Sequence, residues 1–100
     1  WIQMTRRDRL TPDEIENIRN RAGMTCHEFA QTFDVSPTTV YNWEGGKSTP
    51  DQYRTAAIRK LQQRLEEKEK EGSKDQFIQT ILGIGLAFGV AKLLEELFSS

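Results

Sequence analysis

The sequence predicts an all-α protein, a compact domain of four helices followed by an apolar helix near the C-terminal end. Three observations carry this expectation. Helix-start signatures recur at Thr11-Pro12, Thr25-Cys26, Ser36-Pro37 and Thr49-Pro50. Apolar residues after them repeat at intervals of three and four, the spacing that lines one face of a helix. Glycines close three of the runs, at Gly23, Gly45-Gly46 and Gly72, and glycine supplies the left-handed residue that stops a helix. No segment gives a convincing strand.

The first helix is expected over roughly 12–22. Thr11 caps it, Pro12 suits its first position, and Glu14 completes a capping box, with Leu10 and Ile15 as a hydrophobic staple. Thr25 and Glu28 repeat the box before a short second helix, roughly 26–33, whose apolar face is Phe29, Ala30 and Phe33. Asp34-Val35 turns the chain. Ser36 caps a third helix with Val40 and Trp43 facing inward, so that two short helices meet across a tight turn, the layout of a helix-turn-helix unit. A Thr49/Gln52 capping box opens the fourth helix, and Tyr53, Ala57, Leu61 and Leu65 form its stripe. The stripe fades into the mixed charges of residues 66–71, which read as a solvated extension or a linker.

Composition narrows the function. One hundred residues, 36% hydrophobic, make one domain, or one small domain plus an appendage, with a modest core. The 14 Lys+Arg against 15 Asp+Glu leave a net charge of −1, which excludes a strongly basic nucleic-acid coat. One cysteine excludes an internal disulfide, and one histidine beside it leaves too few ligands for a structural zinc site. No signal-peptide pattern opens the chain, and a cytoplasmic protein is expected. The charge is uneven: residues 1–64 are net +2 and residues 65–100 net −3. No nucleophile–base pair, catalytic carboxylate pair or phosphate loop is visible, so an enzyme is not expected.

The stretch from Val35 to Pro50 fills the pattern V-S-x-x-T-V-x-x-W-E-x-G-x-x-x-P at every fixed position. With Gly23, Thr25 and Glu28-Phe29-Ala30 upstream, residues 10–65 resemble the lambda-repressor-like, Cro/XRE-type helix-turn-helix family. The resemblance implies a sequence-specific DNA-binding transcriptional regulator whose third helix lies in the major groove. Carried over, Pro37, Thr38, Thr39, Tyr41 and Asn42 are the candidates for base edges. Asn42 suits adenine, and threonine or proline suits a thymine methyl. Ser36 and Lys47 are candidates for phosphates, and Arg6, Arg7 and Arg9 for a basic arm along the duplex. Two positions depart from the family. Asp34 stands where glycine is common, and aspartate tolerates a left-handed backbone. Cys26 stands where glutamine often helps hold a phosphate, leaving that task to the backbone amides of the helix start. Cys26 and His27 otherwise read as ordinary residues on a polar face.

A unit of net +2 does not bind tightly as a monomer. The family pairs two units on a palindromic operator with half-sites about 34–36 Å apart, so a homo-oligomer is expected. The remaining segment is the candidate for pairing. Between Phe77 and Phe98, 14 of 22 residues are apolar and three are glycine. Gly83-x-Gly85-x-x-x-Gly89 imitates a dinucleotide fingerprint, but 11 residues after Gly89 cannot complete a βαβ unit of about 30. No cofactor is expected.

The expected organisation is a helix-turn-helix domain over 1–65, a charged linker or helix extension over 66–75, and an apolar helix over 76–100. The candidate oligomerisation residues are Phe77, Ile81, Leu82, Gly85, Leu86, Phe88, Gly89, Val90, Leu93, Leu94 and Leu97. Such a helix must bury against a partner or against its own domain. A membrane span stays open, since 22 helical residues reach about 33 Å, although Glu95 and Glu96 oppose it. The reading is therefore a repressor acting as a dimer or higher oligomer. Its rivals are a membrane-tethered helix-turn-helix adaptor that binds another protein, and an antitoxin that binds operator DNA and a toxin.

Overall fold

A computed structural model describes residues 10–88, together with Lys92 and Glu95. Among the described residues the fold is all-helical: α1 (Pro12–Arg21), α2 (Cys26–Thr32), α3 (Pro37–Glu44), α4 (Gln52–Glu71) and α5 (Lys74–Phe88). Arg6, Arg7 and Arg9 lie outside the described residues, as do Gly89, Val90, Leu93, Leu94 and Leu97.

Local sequence sets the first three helix starts as expected. Thr11 and Glu14 close a reciprocal capping box, and so do Thr25 and Glu28. Each box satisfies two backbone donors that a helix start otherwise leaves bare. Ser36 caps α3 by accepting from the Thr39 amide at 3.2 Å.

The fourth start differs from expectation. Asp51, not Thr49, caps α4, its carboxylate accepting from the Arg54 amide at 2.7 Å. Asp51 also holds the Arg54 guanidinium at 2.6 Å, a charged contact that a threonine hydroxyl cannot make. Tyr53 is likewise corrected: it is 59% exposed and not part of the inner stripe. Successive steps of four advance about 40° around a helix of 3.6 residues per turn, so a strict four-residue series walks off the buried face. The buried line of α4 runs through Thr55, Ala57, Ile58, Leu61 and Leu65.

The core gathers Ile15 and Ile18 of α1, Phe29 and Ala30 of α2, Val40 and Trp43 of α3, and the α4 line. Phe29 and Phe33, both fully buried, pack with their rings tilted by 58° and 4.8 Å between centroids. Cys26, expected on a polar face, is half-buried and packs against this core.

Residues 66–71 continue α4 as a helix, and Gly72 ends it in the left-handed conformation at φ 76°. Arg21, in the last turn of α1, pairs with Glu69 and tethers that extension to α1. Beyond the turn, α5 comes back onto the domain. Ile78 and Ile81 are buried in the same core, and Phe77, Leu82 and Ile84 pack against it half-buried. Ile81 was expected on an oligomer face. At 2% exposure it is instead enclosed by its own chain, because α2 and α4 offer the nearest apolar cover. Phe77 and Leu82 share that cover in part. Gly85, Leu86 and Phe88 belong to the helical span of α5. Among the described residues, no helix is long and apolar enough to cross a membrane.

Candidate nucleic-acid interface

α2 and α3 form the helix-turn-helix. The turn between them passes through Asp34, whose φ of 56° lies in the left-handed region, one that aspartate enters more readily than most residues. The Val35 amide donates to the Ala30 carbonyl at 2.9 Å, closing the turn onto α2. A side chain from another helix completes it. Arg54 of α4 donates from Nε to the Phe33 carbonyl at 2.8 Å and from Nη2 to the Asp34 carbonyl at 3.2 Å. Backbone acceptors left over at the end of α2 are thus met by a guanidinium fork. That fork is held by Asp51, whose carboxyl is kept below its ordinary range chiefly by the Arg54 amide.

α3 is fixed from both sides. Val40 and Trp43 sink into the core at 0% and 3% exposure. At its C-terminal end, Glu44 receives Arg19 of α1 in a two-pronged ion pair, Nε to Oε2 at 2.7 Å and Nη2 to Oε1 at 3.0 Å. Arg19 also donates to the Met24 carbonyl at 3.1 Å, so one residue ties α1, the loop before α2 and the end of α3 together. The hydrogen bonds it donates to the Glu44 carboxylate raise the pKa of Arg19 further. Gly46 then carries the chain away at φ 76°, a conformation that penalises a side chain.

With its inner face pinned, α3 turns its remaining residues outward. Thr38 is exposed, Tyr41 is 57% exposed, and Asn42 is half-buried. Their spacing, i, i+3 and i+4, puts the three side chains on one helix face. Pro37 is half-buried one residue before them, and Lys47 is exposed in the following loop, its amide bonded to the Asn42 carbonyl at 2.9 Å. Ser36 and Thr39 are differently placed. The Ser36 hydroxyl is engaged as the cap and lies 3.0 Å from the Thr39 hydroxyl, so the two satisfy each other at the entry to the helix. The amide of Asn42 carries a donor and an acceptor on separate atoms, the arrangement that meets a base edge at two points, and the hydroxyls of Thr38 and Tyr41 each donate and accept at one.

Two features of the site were not foreseen from the sequence. Glu44 occupied a fixed position of the motif, yet its partner Arg19 lies 25 residues away. Arg54 lies 20 residues from the turn it braces. Neither pairing leaves a local signal.

Comparison with known proteins finds antitoxin HigA-2 of Vibrio cholerae serotype O1, 33% identical over 57 residues. The match takes in 57% of this chain and 55% of that protein. The chain thus spans about half the length of the curated relative it matches. No family model matches the chain. No solved structure matches it either.

Proposed function

We propose that this chain is a sequence-specific DNA-binding regulator of the lambda-repressor-like kind, working in the cytoplasm as a binding protein rather than an enzyme. α3 enters the major groove and acts there as the reading helix. The observation that carries this is the construction of α3. Its inner face and its C-terminal end are locked by Trp43, Val40 and the Arg19–Glu44 pair, while Thr38, Tyr41 and Asn42 are turned outward. A helix that reads bases needs this division, because base contacts specify only when the backbone beneath them is held in place. Thr38 and Asn42 address base edges, with Pro37 and Tyr41 packing beside them. Lys47 faces phosphate, and Ser36 and Thr39 shape the helix entry. Two copies on a palindromic operator supply the affinity that one mildly basic unit lacks.

The test is selection of bound duplexes from a random pool, followed by titration of the selected site. Thr38→Ala with Asn42→Ala is expected to remove the preference for that site while leaving weak, salt-sensitive binding to any duplex. A selected site bound as tightly by the double variant as by the parent would sink the assignment of α3.

A second reading adds a protein partner. The similarity to antitoxin HigA-2 supports a regulator that both represses an operator and sequesters a toxin. Co-expression with the product of a neighbouring short reading frame tests it. Rescue of growth with recovery of a complex is expected, and independent behaviour of the two proteins rejects this addition.

A further inference from the structure

The guanidinium of Arg54, in the first turn of α4, has all three of its nitrogens engaged. Nε donates to the Phe33 carbonyl at 2.8 Å, Nη2 to the Asp34 carbonyl at 3.2 Å and Nη1 to the Asp51 carboxylate at 2.6 Å. Asp51 is held in turn, since its other oxygen accepts from the Arg54 amide at 2.7 Å. A guanidinium is flat and rigid, so donors fixed in one plane fix the directions of the groups they join. Here those groups are the end of α2, the turn after it and the start of α4. The turn has reason to need the support. Asp34 sits at φ 56°, a conformation that glycine enters freely and other residues do not. Its carbonyl lies two residues before Ser36, the cap of α3, so Arg54 grips the stretch of backbone from which α3 takes its heading.

We propose that Arg54 is a positioning residue for sequence-specific DNA binding, and that Asp51 holds it to that task. This rests on reading α3 as the helix that enters the major groove, and it names the side chains that set its heading there. A binding constellation has to be held to within about 0.5 Å of its productive geometry. Thr38 and Asn42 meet that demand only if the turn before them is fixed. Arg54 acts on bases through the backbone it grips, since its nitrogens already point to protein acceptors. Lysine cannot take its place: an ammonium is a point charge on a flexible stem and does not hold two carbonyls and a carboxylate in one plane. Asp51 lies four residues after Lys47, and by charge alone a carboxylate there opposes binding to a polyanion. Clamping Arg54 gives that carboxylate a part in recognition that its charge does not.

Fluorescence anisotropy titrations of the full chain test the proposal, on the duplex the parent selects and on a scrambled duplex of equal length. They are run at a temperature where unfolding curves show every variant folded, so that a loss of stability alone does not move the ratio between the two duplexes. Arg54→Lys is expected to weaken binding to the selected duplex about tenfold, the worth of one well-placed base contact. The scrambled duplex is expected to be bound as before, with an unchanged salt slope. Asp51→Asn keeps a good helix cap and removes the charge. It is expected to lower the preference for the selected duplex about threefold, a change of about 0.7 kcal/mol. Loss of negative charge alone would instead tighten both duplexes equally, and that result overturns the role given to Asp51. A uniform loss in Arg54→Lys, with the salt slope reduced by about 1, makes Arg54 a phosphate contact and overturns the proposal. So does a selected duplex held by Arg54→Lys as tightly as by the parent. Should Arg54→Lys fail to fold, Asp51→Asn decides alone. A parent that prefers no duplex overturns the reading of α3 along with this proposal, whereas a preference kept by both variants overturns this proposal alone.

Discussion

α3 and α5 are both anchored on the same small core, and each leaves a different kind of surface bare. α3 has eight residues, buries Val40 and Trp43, and is fastened at its end by Arg19 and Glu44. What it leaves outside is polar and aromatic. α5 has fifteen residues and buries Ile78 and Ile81, and apolar atoms of Phe77 and Ile84 remain beside a groove. A rigid polar face suits a partner that offers hydrogen-bonding edges. A partly covered apolar face suits another apolar helix. The difference teaches that anchoring and function divide along each helix by face, with the buried face deciding how firmly the outer one is presented.

The largest expected effects ask whether both anchors belong to one cooperative unit. Trp43→Ala is expected to cost roughly 3–5 kcal/mol and Ile81→Ala roughly 2–4 kcal/mol, read by urea unfolding. A single transition lost in both variants joins the two helices into one folding unit. If Ile81→Ala costs less than about 1 kcal/mol, α5 is an appendage and the comparison breaks.

Next comes Glu44→Gln. It leaves the Arg19 guanidinium without its carboxylate in a site where the two side chains are only 16% and 11% exposed. A loss of roughly 2–3 kcal/mol is expected. The matching Glu71→Gln, at an exposed pair beside α5, is expected to cost less than about 0.5 kcal/mol. Equal losses would remove the contrast between the two ends.

Gly83 gives a smaller effect of opposite sign. It is exposed on α5, and a methyl group there would meet nothing within 4 Å. Gly83→Ala is expected to stabilise the folded chain by about 1 kcal/mol through helix propensity. The gain is read by thermal unfolding, and a loss instead would reveal a close neighbour at that point.

The smallest effect is set by pH. Glu14 closes the α1 capping box and also receives Arg59 at 2.8 Å, and that guanidinium chiefly holds its carboxyl below the ordinary range. A carboxyl lowered by folding contributes stability that is complete above its unfolded value, about 4.3. The contribution is lost as the pH falls through the folded value. Glu14→Gln is therefore expected to flatten the acid limb of the stability curve, most visibly below about pH 4, and to leave its slope near pH 7 unchanged.

How much of this was legible depended on sequence distance. The boxes at Thr11 and Thr25 were readable because cap and partner lie three residues apart. Thr49 imitated the same pattern, but Asp51 offered a charged acceptor that reaches both the amide and the guanidinium of Arg54. Tyr53 was misplaced because a count of four hides the slow rotation of a helix face. The outward placement of Thr38 and Tyr41 was recoverable from the inward pair Val40 and Trp43. The braces Arg19–Glu44 and Arg54 were not, since only the folded chain brings those residues together. Ile81 shows the same gap: an apolar run announces that it needs cover without saying whose.

One consequence lies in the length of α4. Its 20 residues make an unbroken rod of about 30 Å. Arg54, near its beginning, grips the turn before α3, and Arg64 and Lys68, near its end, border the groove. The helix that braces the turn leading into α3 and the helix that borders the groove are thus one continuous backbone, held along its length by Ala57, Ile58, Leu61 and Leu65 in the core.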